Sequence, residues 1–258
     1  MSQMVRYENR DGVAWLTLDA PARLNALDLD GWDGITAGLR RAADETRAPV
    51  VLTGTARAFC AGDDITTFAG LRADRDRAEA FFLEGLYRTI EAVVEHPTPV
   101  VAAVNGLAYG GGLELVAASD LAVAASSARF CLPEGRIGAF ATVFVGLAPE
   151  QLTYKRANAF AYTMQPLDAA AAAELGLVNE AVPDDGLEAA VGRVVEQVRR
   201  GSYDSVVQTK RFLTEHVRRQ SLPRVRRALQ ALVDDVLPTD DLHEGTQAFL
   251  AKREPVFS

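Results

Sequence analysis

Asn105-Gly106-Leu107-Ala108-Tyr109-Gly110-Gly111-Gly112-Leu113-Glu114 is an unusual way for a chain to leave a strand. The residues before it, Pro99-Val100-Val101-Ala102-Ala103-Val104, form a short apolar run of the kind found in strands buried on both faces. The residues after it, Leu113 to Ala118, read as a short helix, and Leu121-Ala122-Val123-Ala124 reads as the next strand. A triple-glycine turn thus sits at the carboxyl end of a strand and the amino end of a helix. The first N–H groups of a helix have no partner within it, so such an end is a ready anion site. Each glycine loses backbone entropy on folding, so three in a row favour a functional turn over a bland one.

N-terminal to this turn, Gly12-Val13-Ala14-Trp15-Leu16-Thr17-Leu18 alternates as a strand. Asp28 can cap a helix running to about Arg47, and Pro49-Val50-Val51-Leu52-Thr53 is a second apolar strand. A long helical stretch from about Arg75 to Glu95 stops at His96-Pro97. Strands alternating with helices predict parallel βαβ crossovers. From Asp168 onward the pattern is mainly helical: Asp168 to Leu175 ending at Gly176, then Leu187 to Arg200, Ser202 to Arg219, Pro223 to Val236 and Leu242 to Arg253. With no internal repeat or low-complexity linker, this is an α/β core with a helical tail, whose apolar faces must pack on the core or on another subunit.

Composition narrows the function classes. The 258 residues are 48% hydrophobic and 24% charged, the balance of a soluble globular protein. A net charge of -8 supplies no broad positive field for nucleic acid or an anionic membrane, so any polyanionic ligand needs a local basic cluster. Met1-Ser2-Gln3-Met4-Val5-Arg6-Tyr7 lacks the charged start and apolar run of a leader, and no apolar stretch is long enough to span a bilayer; a cytoplasmic protein is the expectation. Cys60 and Cys131 are read as reduced thiols. The glycine turn lacks both the nucleoside triphosphate loop pattern and the G-x-G-x-x-G spacing of a dinucleotide site. His96, His216 and His243 stand apart without zinc spacing, so no metal is expected, and there is no G-x-S-x-G elbow.

The anion that suits the turn is a developing oxyanion. A second small-residue turn, Ala58-Phe59-Cys60-Ala61-Gly62-Asp63-Asp64, follows the strand at 49–53, and converging amides from two such turns would stabilise an enolate or a tetrahedral intermediate. Glu114 lies in the first turn of the glycine-opened helix, and Glu134 follows the apolar Phe130-Cys131-Leu132-Pro133. If the two share one apolar pocket, one proton is held between them and the pair supplies an acid and a base. A surface residue and a helix-terminal charge are the plain alternatives.

Phe59-Cys60-Ala61-Gly62-Asp63-Asp64-Ile65, Asn105-Gly106 with Gly110-Gly111-Gly112-Leu113-Glu114-Leu115, and Leu132-Pro133-Glu134 resemble the motifs of the crotonase (enoyl-CoA hydratase/isomerase) superfamily. Leu24-Asn25-Ala26-Leu27, Gly176-Leu177-Val178-Asn179 with Val182-Pro183, and Glu244-Gly245 with Ala248-Phe249-Leu250 extend the match across nearly the whole chain. The resemblance implies a spiral of repeated ββα units over residues 1–200 carrying an acyl-CoA site. It assigns residues 201–258 to a helical region for trimerisation and part of the coenzyme site, in a homotrimer or dimer of trimers. It implies an oxyanion hole from the amides of Asp63 and Gly111, catalytic Glu114 and Glu134, coenzyme contacts at Arg23, Ala61, Ile65 and Lys252, and an acyl pocket near Phe140 and Phe144. The basic phosphate contact of the family aligns at Arg23 or one place earlier, at Ala22. Coenzyme A enters as part of the substrate, with no tightly bound cofactor. Hydratases of the family keep both acids, Glu134 exchanging the C2 proton and Glu114 orienting and deprotonating water, whereas isomerases commonly keep only the Glu134 equivalent.

Two features depart from the common pattern. Asp63 puts a carboxylate beside an oxyanion donor, where the family often has a small or apolar residue. The segment Gly138-Ala139-Phe140-Ala141-Thr142-Val143-Phe144-Val145-Gly146 replaces a glycine-rich run and reads as a bulkier loop shaping the acyl pocket, or as core packing. Hydration or dehydration of an enoyl-CoA is the leading expectation. A double-bond isomerase using Glu134, a non-catalytic acyl-CoA-binding scaffold and, more distantly, a dinucleotide oxidoreductase are the alternatives.

Overall fold

After an N-terminal hairpin, the strands of this chain come in pairs that belong to different sheets. The computed structural model describes residues 4–258, so Met1, Ser2 and Gln3, where the leader reading begins, lie outside the described residues. Strands β1 (Val5–Arg10) and β2 (Val13–Leu18) form a hairpin through Asp11 and Gly12, which have φ of 53° and 83°. Asn9 Oδ1 accepts the Gly12 N–H at 2.9 Å and closes that turn. The chain then repeats a strand, strand, helix unit. β3 (Val50–Gly54) and β4 (Ala58–Cys60) lead to helices between Ile65 and Glu95, and β5 (Val100–Val104) and β6 (Leu107–Tyr109) lead to the helix Gly111–Ala118. β7 (Leu121–Ala125) and β8 (Arg129–Cys131) lead to helices Thr142–Gln151 and Tyr154–Thr163, before β9 (Leu167–Asp168) and β10 (Glu180–Val182).

The first strand of each unit joins a six-stranded sheet in the order β1-β2-β3-β5-β7-β10, parallel from β2 onward. The second strand joins a four-stranded sheet in the order β4-β6-β8-β9, with only β9 antiparallel. This is the crotonase-like ββα spiral. The short strands β4, β6 and β8 have three residues each, too few to show a period, so the sequence reading ran Gly106 to Gly112 together as one turn and missed β6.

Period-two alternation explains how the large sheet is covered. Val50, Leu52, Val100, Ala102 and Val104 face the main core beneath helix Leu29–Glu45, whereas Val51, Val101, Ala103 and Val123 face helix Leu187–Arg199. Asp28 caps the helix Leu29–Glu45 by accepting the Gly31 N–H at 2.9 Å. The helical stretch from Arg75 to Glu95 is interrupted by a π-helical segment at Ala80–Leu86. The C-terminal helices lie on the chain's own core: Leu222, Val225, Leu229, Leu232 and Leu242 belong to the main apolar cluster, and helix Leu222–Ala231 packs on helix Thr142–Gln151.

A buried ion pair ties the helix Tyr203–Leu213 to the sheet. Lys210 Nζ donates to Asp120 Oδ2 at 2.7 Å and to the Val93 and Thr98 carbonyls at 3.1 Å each, while Asp120 Oδ2 also accepts the Val100 N–H at 2.7 Å. Removing one partner leaves the other charge uncompensated, so Lys210→Met is expected to lower the unfolding free energy by roughly 3 kcal/mol. Equilibrium denaturation checks this, and an unchanged midpoint would show that the pair contributes nothing net.

Candidate active site

Parallel pairing of β4 with β6 sets two strand-end turns side by side. Helix Gly111–Ala118 starts directly against the end of β4: a Cβ at Gly112 would lie 2.2 Å from the Cys60 carbonyl oxygen, so only glycine fits. The turn after β4 is equally close to the turn after β6. At Gly62, with φ of +95°, a Cβ would lie 2.9 Å from the Tyr109 carbonyl oxygen and 3.1 Å from the Gly111 nitrogen. A third segment braces the first turn, with Ala61 N–H donating to Leu24 O at 3.0 Å, Leu27 N–H to Gly62 O at 2.8 Å and Asp64 N–H to Leu27 O at 2.8 Å. Asn25 holds that segment in place. It is fully buried with φ of 58°, and its Nδ2 donates to Ala58 O at 2.8 Å and Thr55 O at 3.1 Å.

Both glutamates reach the space beneath the turns. Glu114, 3% exposed, turns its Oε1 to the start of the helix Thr142–Gln151, where the N–H groups of Val143 and Phe144 donate to it at 2.8 and 3.1 Å. Glu134 opens a 3₁₀ turn after β8, and its buried Oε2 has no hydrogen-bond partner among the described residues. Burial, then the nearby charge of Glu114, holds the Glu134 carboxyl well above the usual carboxylate range. Burial and the charge of Asp63 also raise Glu114, but its two backbone donors favour the ionised form. Glu114 is pushed up to about 8, and of the two acids the unsupported Glu134 holds its proton the more firmly.

Asp63 is the third acid. Its Oδ1 accepts the Trp32 Nε1–H at 2.9 Å, and burial pushes its carboxyl up to about 7, with Asp64 adding to the rise and the indole bond opposing it.

These groups line one cavity of about 410 Å³. Its wall includes Asp63, Gly110, Gly111, Glu114 and Glu134 together with Ile65, Phe68, Phe82, Phe140, Leu232 and Phe249. A few polar groups converging on an apolar cavity is the usual form of a small-molecule site. A cleft of about 450 Å³ between the helices Leu29–Glu45 and Tyr87–Glu95 is lined largely by charged side chains such as Arg40, Glu84, Arg88 and Glu91, and neither turn reaches it.

Of the residues singled out in the sequence, Ala61, Ile65, Asp63, Gly111, Glu114, Glu134 and Phe140 meet at this cavity. Phe144 does not line it. The segment 142–151 is a helix rather than a loop, and it directs the Phe144 ring, 1% exposed, edge-on against Phe160 at 5.7 Å between centroids. Phe144 serves the site through its backbone N–H instead. Lys252 is exposed beyond the end of helix Asp240–Leu250 and is absent from the cavity wall, which that helix reaches through Phe249. The Arg23 guanidinium is held between Asp28 at 2.7 Å and Asp64 at 2.9 Å, one residue from Leu24 on the cavity wall. Trp32, Asn25, Tyr109, Arg136 and Phe249 are participants that the sequence reading did not assign to the site. Trp32 carried no signal beyond its place on the apolar face of a helix.

The raised Glu134 carboxyl has a consequence for stability. Below pH 4.5, the ordinary value of a glutamate carboxyl, both folded and unfolded chains hold this proton, whereas above it the unfolded chain releases the proton while the folded chain retains it. Stability is therefore lost as pH rises through that window. Glu134→Gln removes the effect, so the variant should melt above the wild type at pH 8 by a few degrees, on the order of 2–4 °C for each kcal/mol relieved. The curves should converge near pH 4, and a Glu134→Gln variant that gains nothing at pH 8 would contradict the assignment.

Comparison with known proteins follows the same lines. The family model described as enoyl-CoA hydratase/isomerase matches residues 8–258. A protein named probable enoyl-CoA hydratase from Rhodobacter capsulatus is 36% identical over 256 residues, covering 98% of this chain and 97% of that protein. A crystal structure of an enoyl-CoA hydratase from Mycobacterium avium subsp. paratuberculosis superposes with a TM-score of 0.85 at 28% identity, covering all of both chains. A crystal structure of a carnitinyl-CoA hydratase from Mycobacterium avium superposes with a TM-score of 0.83 at 32% identity, covering 100% of this chain and 99% of that one. From its ββα spiral to this full-length similarity, the chain belongs to the enoyl-CoA hydratase/isomerase family of the crotonase superfamily.

Proposed function

We propose that this protein adds water across the 2,3 double bond of an enoyl-CoA, or removes it from the 3-hydroxyacyl thioester, with the enolate oxygen held by the Asp63 and Gly111 amides. The observation that carries this reading is the unequal treatment of two buried acids in one cavity: Glu114 faces two N–H donors and Glu134 faces none on Oε2. In the hydration direction the Glu114 carboxylate takes a proton from water as the water oxygen bonds to C3. The π electrons move through C2 to the thioester oxygen, where the two amides meet the developing charge. Glu134 then delivers its proton to C2 as the enolate collapses. Dehydration runs the same steps in reverse, with Glu134 removing the C2 proton and Glu114 protonating the leaving hydroxyl.

The acyl chain would lie among Phe68, Phe82, Phe140, Leu232 and Phe249, and the coenzyme would leave past Leu24, Ala61 and Ile65. Arg23 and Lys252 are the cations proposed to meet its phosphates. Phe212 and Leu213, 69% and 76% exposed, leave apolar surface on the helical tail, which supports self-association as a trimer or pair of trimers. A double-bond isomerase would need Glu134 alone and would leave the buried, doubly hydrogen-bonded Glu114 without a task, so hydration is the better account.

The two reactions separate on paired substrates. Glu114→Gln should lower hydration of a 2-enoyl-CoA by roughly 10²–10⁴-fold, and Glu134→Gln should abolish hydration and any interconversion of the 3-enoyl isomer alike. Wild-type rates of hydration in Glu114→Gln would exclude the proposal.

A further inference from the structure

Trp32 touches both turns of the site. Its fully buried indole donates from Nε1 to Asp63 Oδ1 at 2.9 Å, and its ring lies under the second turn, where a Cβ at Gly111 would meet Cζ2 at 3.1 Å and Cη2 at 3.4 Å. Asp63 Oδ1 comes within 3.5 Å of that same position, so the indole, the Asp63 carboxyl and Gly111 form one contact triangle. The Trp32 backbone is anchored as well. The Thr89 hydroxyl lies 2.9 Å from Trp32 O and 2.8 Å from Thr36 Oγ1, which ties the helix Leu29–Glu45 to the helix Tyr87–Glu95 at the level of the site.

An oxyanion hole works only if both donors reach the same oxygen at 2.7–3.1 Å, and glycine-rich turns leave that spacing to whatever packs against them. Among the described residues, Trp32 alone holds the Asp63 side chain by a hydrogen bond while also packing on Gly111. The contact also decides where the carboxyl goes. A carboxyl turned freely into the cavity would oppose an enolate, and its charged neighbours Asp64, Glu114 and Glu134 are acids, while Arg23 is taken up by Asp28 and Asp64 and Arg136, on the same cavity wall, donates to the Met164 carbonyl.

We propose that Trp32 and Asp63 form a clamp that sets the spacing of the two amide donors, making Trp32 a positioning residue for enolate stabilisation. The proposal rests on the oxyanion-hole reading given above. It accounts for a carboxylate at position 63, where the family often has a small residue: the side chain is the anchor point for the indole.

The test reads carbonyl polarisation directly. An acyl-CoA labelled with ¹³C at the thioester carbonyl is bound to the wild type, Trp32→Phe, Asp63→Ala, Asp63→Asn and the Trp32→Phe/Asp63→Ala double variant, and the carbonyl stretch is recorded by infrared difference spectroscopy. The wild type should shift the band to lower wavenumber. Trp32→Phe, which loses both the donor and the outer-ring atoms that touch Gly111, should lose most of the shift. Its kcat should fall on the order of tenfold to a hundredfold with KM changed by less than about threefold. Asp63→Ala should behave like Trp32→Phe, and the double variant no worse than either single one. Asp63→Asn, which retains an acceptor for the indole, should keep the band near the wild-type position.

A full wild-type shift and wild-type kcat in Trp32→Phe would overturn the clamp. If Trp32→Phe does not fold, Asp63→Ala carries the same expectation without disturbing the core, and a wild-type band there overturns the clamp equally. A wild type that shifts no acyl-CoA carbonyl would instead overturn the oxyanion-hole reading.

Discussion

A Cβ on residue 112 would sit 2.2 Å from the Cys60 carbonyl oxygen, and the remaining geometry of the site follows from that approach. Because Gly112 can lie against the end of β4, the helix Gly111–Ala118 begins beside the turn at 61–64 instead of a side chain's width away. Its unpaired first N–H groups then share one space with those of the neighbouring turn. The same start carries Glu114 inward one turn later, and the next helix start, at Thr142, supplies the two N–H donors that let a carboxylate exist there. Two helix N-termini thus serve one cavity: one turns unpaired N–H groups toward it, the other holds the Glu114 carboxyl.

Burial acts in the same sense on the three acids, and their hydrogen-bond surroundings set them apart. All three carboxyls are raised by desolvation, yet each meets different partners: two backbone donors for Glu114, an indole for Asp63, and none on Oε2 of Glu134. Like charges confined together cannot all ionise, so the least supported one keeps its proton. In the proposed reaction these surroundings alone make an acid and a base of two identical side chains. The destabilisation that this imposes is carried by a large apolar framework, in which both faces of the main sheet are covered and the C-terminal helices close over the core.

Much of this was legible in the sequence, for physical reasons that can be named. Apolar runs such as Val100-Val101-Ala102-Ala103-Val104 are long enough to declare buried strands. Asp28 and Asp168 are capping residues where helices start, and Gly176 is a left-handed terminator where one ends. The glycine turn and both glutamates could be picked out because glycine triplets and acids in apolar settings are costly without a task. The second sheet was not legible, since its strands are two or three residues long and are defined by pairing with distant segments. Phe144 was misplaced for a related reason: residues 138–146 stand where the resemblance implies a glycine-rich loop, but tertiary packing against helix Leu222–Ala231 makes Thr142–Gln151 helical. Trp32 and Phe249 escaped because a core aromatic and a site aromatic look alike until the fold shows what each one touches.

The central claim is that the turns after β4 and β6 present two amides to one thioester oxygen. A crystal structure with an unreactive acyl-CoA bound measures this most directly. The account predicts the thioester oxygen within hydrogen-bond distance of both the Asp63 and Gly111 nitrogens, with C2 and C3 lying between Glu134 and Glu114. A thioester carbonyl bound away from either amide, or an acyl chain outside the cavity walled by Phe82 and Phe140, would contradict it.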